Sequence, residues 1–154
     1  MPGVVELEIP SRPDYLAVAR LVVTASAATE DSFDDDRLAD LRLVVSEVCT
    51  NAMEANWVAA GVRPPLAADD PAWADVSTVW LRCIAEPGRV EVYVADHGRG
   101  FDPDSLGVHP PVTDPARLDY ERGLGIPLIR ILADEVDFIT TPSGTLVHVV
   151  LDAD

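Results

Sequence analysis

Glu47 and Asn51 stand four positions apart in the apolar run Leu41-Arg-Leu-Val-Val-Ser-Glu-Val-Cys-Thr-Asn-Ala-Met53. At helical pitch, residues i and i+4 lie one above the other on a single face. Val44, Val48 and Ala52 flank that face, so a carboxylate and an amide sit beside what should be core. A carboxylate taken out of water needs a partner. Either another part of the fold satisfies the pair, or the pair lines a ligand cavity.

Three further clusters follow in the chain. Asp96-His-Gly-Arg-Gly-Phe101 lies at the end of an expected strand. A carboxylate there can accept a hydrogen bond from a base amino group while the glycines let the backbone bend around a ligand. Arg122-Gly-Leu-Gly-Ile126 opens a helix. Its free N–H groups and the helix dipole favour phosphate, and Arg122 can add a charge-assisted contact. Gly144-Thr145 enters the last strand and says little alone. An acidic β-turn would account for the first cluster by itself, and a helix start with permissive glycines for the second.

The elements that must hold these residues can be read in order. Residues 4–9 alternate as a strand that Pro10 ends. Asp14 is placed to cap a helix over 14–28, in which Arg20 should point outward. Asp34 or Asp35 can cap a second helix over 36–59, which carries Glu47 and Asn51. Residues 61–75, with three prolines, form a loop without periodicity. Strands over 76–84 and 90–95 are joined across Glu86-Pro-Gly-Arg89. Residues 96–122 are rich in Gly, Pro and Asp, as functional lids are. A helix over 123–133 and strands over 136–140 and 146–151 complete the chain. Helices first and a mixed, mostly antiparallel sheet later predict an α+β fold, a two-layer α/β sandwich.

With 154 residues the chain reads as a single domain, 1–154, able to bury one core. Its formal net charge is −16, and every basic residue apart from histidine is arginine. Phosphate backbones would repel such a chain, so direct nucleic-acid binding is a poor expectation. The lack of lysine rules out a Walker-type phosphate loop, which needs one. Cys49 and Cys83 stand alone, which fits small buried thiols in a reducing compartment. With no signal peptide and no membrane-length apolar stretch, the expectation is a soluble, cytoplasmic protein without a membrane partner.

In this order, ExxxN, DxGxG, GxG and GT resemble the four boxes of the Bergerat-fold (GHKL, histidine kinase-like) ATPase superfamily, which includes histidine kinases and gyrases. Residues 43–52 and Glu121-Arg-Gly-Leu-Gly-Ile126 look like the anti-sigma factor serine/threonine kinases of the RsbW type, and the resemblance runs from Val4 to Leu151. It implies a Bergerat fold with an ATP lid, and ATP and Mg²⁺ as cofactors. It implies Glu47 as the catalytic base and Asn51 as the Mg²⁺ ligand. Asp96 would accept from the adenine amino group with support from Thr145, and Gly98 and Gly100 would let the backbone pass the nucleotide. Arg122, Gly123, Leu124 and Gly125 would hold phosphates, with residues 102–122 as the lid.

The partners implied are a sigma factor and a STAS-domain anti-anti-sigma protein that is phosphorylated on serine or threonine. Relatives suggest a homodimer, and Arg20 with its helix is a candidate partner surface. The chain departs from the family in its longer 61–75 loop and in Met53-Glu-Ala-Asn56, where many relatives carry a histidine soon after the asparagine. Glu54 and Asn56 are expected on a solvated helix face. His97 occupies a variable position of its box, and His109 and His148 show no ligand spacing, so a zinc site is not expected. The alternative function is a nucleotide-binding anti-sigma or other partner-binding module without kinase activity. The nucleotide-binding half of a histidine kinase or of a mechanochemical ATPase ranks behind both.

Overall fold

In the computed structural model, residues 2–98 and 125–154 are described. The elements are β1 (Gly3–Ile9), a short 3-10 turn (Pro13–Tyr15), α1 (Leu16–Ala28), α2 (Asp35–Ala60), a second 3-10 turn (Pro71–Asp75), β2 (Val79–Glu86), β3 (Arg89–Ala95), α3 (Gly125–Leu132), β4 (Glu135–Thr141) and β5 (Gly144–Asp152). The strands form one sheet in the order β1-β2-β3-β5-β4, and every pairing is antiparallel.

The long helix α2 is the spine. Asp34 caps it by accepting from the Arg37 N–H at 2.8 Å, and Asp35 and Asp36 place negative charge at the positive end of the helix dipole. It stops at Gly61, which is in the left-handed conformation. Its buried residues are Leu41, Val44, Val45, Val48, Cys49, Ala52, Met53 and Asn56, an unbroken stripe at i, i+3, i+4 spacing. That stripe meets Ala19, Val23 and Ala27 of α1 and the inward side chains Leu81, Cys83, Val90, Val92, Val149 and Leu151 of the sheet. Each fully buried aliphatic side chain contributes about 1.5–3 kcal/mol. Burial pushes the Cys49 thiol up to about 12 and the Cys83 thiol to about 11, so neither ionises near neutrality.

Two local expectations change. Asp14 does not cap α1; it lies in the preceding 3-10 turn and pairs with Arg12 at 3.5 Å, while Tyr15 occupies the cap without a side-chain bond. The second strand starts at Val79 rather than at residue 76, because β1 ends at Ile9, the partner of Val79. The carbonyls of Ser77 and Thr78 have no strand opposite them and bond to side chains instead. The 61–75 loop is less featureless than its sequence suggests. Trp73 Nε1 donates to the Ala67 carbonyl, and the Arg12 guanidinium lies over both the Trp73 and Tyr15 rings.

At the far end of the helical layer, Arg37 ties three elements together. It donates to the Asp152 carbonyl at 2.7 Å and to the Leu132 carbonyl at 2.9 Å, and it pairs with Asp134 at 2.6 Å. Asp134 in turn accepts from the Asp152 N–H. The C-terminal end of α3 is thereby fixed to α2, which sets where the other end of α3 points. None of the helices among the described residues is long and apolar enough to cross a membrane.

Candidate functional site

Glu47 and Asn51 lie on α2 at the margin of its buried stripe, and both are half-buried. Neither makes a hydrogen bond or an ion pair with another described residue. Opposite Glu47 is the start of α3. A Cβ added to Gly125 would run into Glu47 Oε2, with the Glu47 Cδ and Cβ atoms at 3.4 and 3.5 Å. A side chain there would displace the Glu47 carboxylate, whose oxygen occupies the space a Cβ would take. A helix N-terminus and a carboxylate without a partner among the described residues thus face each other across one wall of the site.

The second wall is built by the crossover of the sheet. The chain leaves β3 at Ala95 and returns through α3 and β4 to lay β5 beside β3, with Ala95 opposite Leu146. That register sets Asp96 against Thr145. Asp96 N–H donates to the Thr145 carbonyl at 3.1 Å, and the Thr145 and Gly98 N–H groups donate to Asp96 Oδ1 at 3.2 and 2.9 Å. Gly144, at φ 144°, brings the start of β5 against the Asp96 carbonyl so closely that no Cβ fits.

Asp96 is 6% exposed, and burial pushes its carboxyl above the usual 3.8, with the two backbone N–H groups pulling it back. Its second oxygen has no partner among the described residues. Nor has the buried Thr145 hydroxyl, whose Oγ1 is orphaned beside it. Buried polar atoms are nearly always paired, so the Thr145 hydroxyl beside Asp96 marks a place for a ligand with a polar edge.

A third contact set joins the walls. The loop after β3 sits on α2: a Cβ on Gly98 would lie 2.7 Å from the Ala55 carbonyl oxygen, and the His97 N–H donates to Asn56 Oδ1 at 2.8 Å. Glu47 and Ala55 are eight residues apart on α2, which is about 12 Å along the helix axis. The carboxylate-and-helix-end wall and the Asp96 wall therefore lie at two ends of one helical segment. That separation suits an elongated ligand with a base at one end and phosphates at the other.

The profile of the histidine kinase-like ATPase domain matches residues 9–151. The chain belongs to the histidine kinase-like ATPase family. The serine-protein kinase RsbW of Bacillus velezensis is 33% identical over 147 residues, covering 93% of this chain and 81% of its own length. The protein of the same name in Bacillus subtilis is 32% identical over 136 residues, covering 86% and 75%. A crystal structure of RsbU and RsbW domains from Mycobacterium tuberculosis aligns with a TM-score of 0.58 at 17% identity, over 96% of this chain and 32% of that one. That last likeness concerns the fold. Within the family the chain groups with the RsbW serine-protein kinases.

ATPase-family membership makes ATP the ligand the site has to fit, and the orphaned Thr145 hydroxyl, the Asp96 oxygen that has no partner among the described residues and the glycine at the approach to Glu47 suit it. The structure brings Asp96, Gly98 and Thr145 together at one wall and Glu47 and Gly125 at the other, with Asn51 one helical turn from Glu47. Gly100, Arg122, Gly123 and Leu124, the lid at 102–122 and His109 lie outside the described residues. Arg20 does not point freely outward. It is half-buried at the seam between α1 and α2 and donates to Ser46 Oγ at 3.3 Å. His148 is a sheet residue stacked on Tyr93 and bonded to Glu91 at 3.1 Å.

Asn56 is the clearest correction. Expected on a solvated face, it is 1% exposed and bonded on all sides. The signal was in the spacing: residue 56 continues the stripe of Cys49, Ala52 and Met53, and its polarity hid it. Glu54, at the half-buried margin of α2, also has a partner.

Proposed function

We propose that this protein is an ATP-dependent serine/threonine protein kinase that phosphorylates a small STAS-type anti-anti-sigma protein and sequesters a sigma factor by partner switching. The observation that carries the reading is Glu47: a half-buried carboxylate with no partner among the described residues, pressed against the glycine that opens α3. A structural carboxylate would be paired. One held beside a helix N-terminus is placed to accept a proton from a hydroxyl that attacks a phosphoryl group bound there.

In this reading the adenine amino group donates to the free oxygen of Asp96, with Thr145 hydrogen-bonding the same edge of the base. Gly98 and Gly100 keep the backbone clear of the nucleotide. Arg122, Gly123, Leu124 and Gly125 bind phosphates. Asn51 would hold Mg²⁺, which when bound supplies the charge neutralisation that a triphosphate needs in a chain of formal net charge −16. Phosphoryl transfer asks mainly for positioning and electrostatics, and these groups provide both.

The partner assignment rests on the likeness to RsbW kinases and on charge. An acidic surface steers a basic partner, with affinity that weakens as salt rises. On α1, Leu21 is 69% and Val18 40% exposed on the same helix as Arg20, an apolar and cationic mixture suited to a protein interface. A nucleotide-binding antagonist without kinase activity would have no use for a Glu47 held without a partner among the described residues. The test is transfer of label from γ-labelled ATP to candidate STAS proteins. Asn51→Ala should abolish Mg·ATP binding, whereas Glu47→Ala should keep nucleotide and lose transfer. If both variants bound ATP and phosphorylated normally, the kinase reading would fail.

A further inference from the structure

Asn56 is a buried polar side chain of α2 bonded through both its amide nitrogen and its oxygen, and the phosphoryl-transfer scheme above does not use it. Its Nδ2 lies 3.0 Å from Ser11 Oγ, 3.1 Å from the Ser77 carbonyl and 3.1 Å from the Thr78 carbonyl. Ser11 Oγ in turn donates to the Ser77 carbonyl. Those contacts tie α2 to the turn before α1 and to the residues entering β2. Its Oδ1 does something else: it accepts from the N–H of His97, the residue between Asp96 and Gly98.

Among the described residues, the Asp96-to-Gly98 loop has few other ways to be held. Asp96 is bonded to β5 through Thr145, which sets its height along the sheet but not its distance from the helix. Against the helix the loop has the Gly98–Ala55 contact, which only stops it from coming nearer, and the His97–Asn56 bond, which pulls it in. A repulsive stop and an attractive tether at adjacent residues define one separation.

We propose that Asn56 is a positioning residue for the nucleobase: by tethering His97 it sets the distance between Asp96 and the helix that carries Glu47 and Asn51. The proposal rests on the ATP reading of this site and deepens it. In this scheme Asn56 touches neither the phosphates nor the attacking hydroxyl of the substrate and acts through the loop. Its loss therefore changes how tightly and how selectively the base is held, and leaves the transfer step intact once nucleotide is bound. Adenine presents an amino group to Asp96 where guanine presents a carbonyl, so a loop free to drift loses discrimination between them as well as affinity.

The experiment compares Asn56→Leu, His97→Pro and Ser11→Ala with the wild type. It reads melting temperature, the Kd values of Mg·ATP and Mg·GTP, and the transfer rate at saturating ATP. Asn56→Leu removes the tether and the staple to β2 together. His97→Pro removes the tethering N–H together with the imidazole beside Asp96. His97→Ala, which keeps the N–H and should leave both Kd values unchanged, is therefore measured beside it. Ser11→Ala removes only part of the staple. We expect Asn56→Leu and His97→Pro each to raise the Kd for ATP about three- to tenfold, the scale of one buried hydrogen bond. Both should narrow the ATP/GTP preference and leave the saturated rate within about twofold. Ser11→Ala should lower the melting temperature without moving either Kd.

A Kd for ATP unchanged in His97→Pro, or raised equally in Ser11→Ala, would overturn the proposal and leave Asn56 a staple of the fold. A saturated rate that fell while affinity held would overturn it too. A wild-type protein that bound no ATP would instead overturn the nucleotide reading itself, and this inference with it.

Discussion

Replacing Gly125 with alanine separates catalysis from folding in a way the geometry makes quantitative. The added methyl would overlap Glu47 Oε2, while the Glu47 Cδ and Cβ atoms stand at 3.4 and 3.5 Å, within ordinary contact. Only the carboxylate has to move, by roughly an ångström through side-chain rotation, and such a torsional displacement costs about 0.5–1.5 kcal/mol. Gly125 lies at the start of α3 without a positive φ, so alanine suits its backbone. Alanine in a helix is favoured over glycine by up to about 1 kcal/mol. The two effects nearly cancel, and thermal unfolding should change by less than about 3 °C.

Catalysis does not have that compensation. A group displaced by about 1 Å from its working position can lose about 10²-fold in rate, or about 2.7 kcal/mol of barrier. The assay is transfer of label from γ-labelled ATP at saturating nucleotide, with ATP affinity measured separately by titration. We expect the rate to fall about 10²-fold, and the Kd for ATP to stay within about threefold because the Asp96 wall is untouched. A folded G125A protein that transfers phosphate at the wild-type rate would refute the placement of Glu47 as the base. So would a loss of affinity at an unchanged saturated rate, which would make Gly125 a phosphate contact alone.

Two further outcomes follow from the same contacts. Asp96→Asn keeps an oxygen for the Gly98 and Thr145 N–H groups but turns a donor toward the adenine amino group, so ATP affinity should fall about 10–100-fold by titration. The folded carboxyl is raised above 3.8 by burial, so the native state holds its proton longer than the unfolded chain and the wild type loses stability as pH rises from 3.8 through the raised value. The variant's advantage in melting temperature should therefore grow across that window, and a difference independent of pH would contradict the burial effect. Arg37→Ala leaves the Leu132 and Asp152 carbonyls without their side-chain donor and Asp134 with only the Asp152 N–H, and should lower stability by about 2–3 kcal/mol in denaturant titration. An unchanged midpoint would mean that the clamp on α3 contributes nothing.

Most of the elements were legible because their signals are local. The stripe from Leu41 to Met53 repeats at helical spacing, Asp34 precedes it as a cap, and the short strands alternate. Where structure and local signal part, the cause lies in the partners a residue meets. Asp14 looked like a cap until Arg12 took its carboxylate, and the strand expected from residue 76 lost its first residues because β1 had already ended at Ile9. Asn56 was misread because a polar residue at the end of an amphipathic stripe is usually exposed, and only its partners on three other segments say otherwise.

By itself the sequence determined the helix that carries Glu47 and Asn51, the order of the glycine and acid clusters, and the strongly acidic charge, since periodicity, spacing and composition are properties of the chain alone. Only the tertiary structure decided what those residues meet. The crossover that lays β5 beside β3 puts Thr145 against Asp96, although 49 residues separate them, and the packing of α3 brings Gly125 onto Glu47. No local propensity encodes such a pairing. It follows from burying one continuous core between helices and sheet, and the polar groups left at the seam of that core are the site.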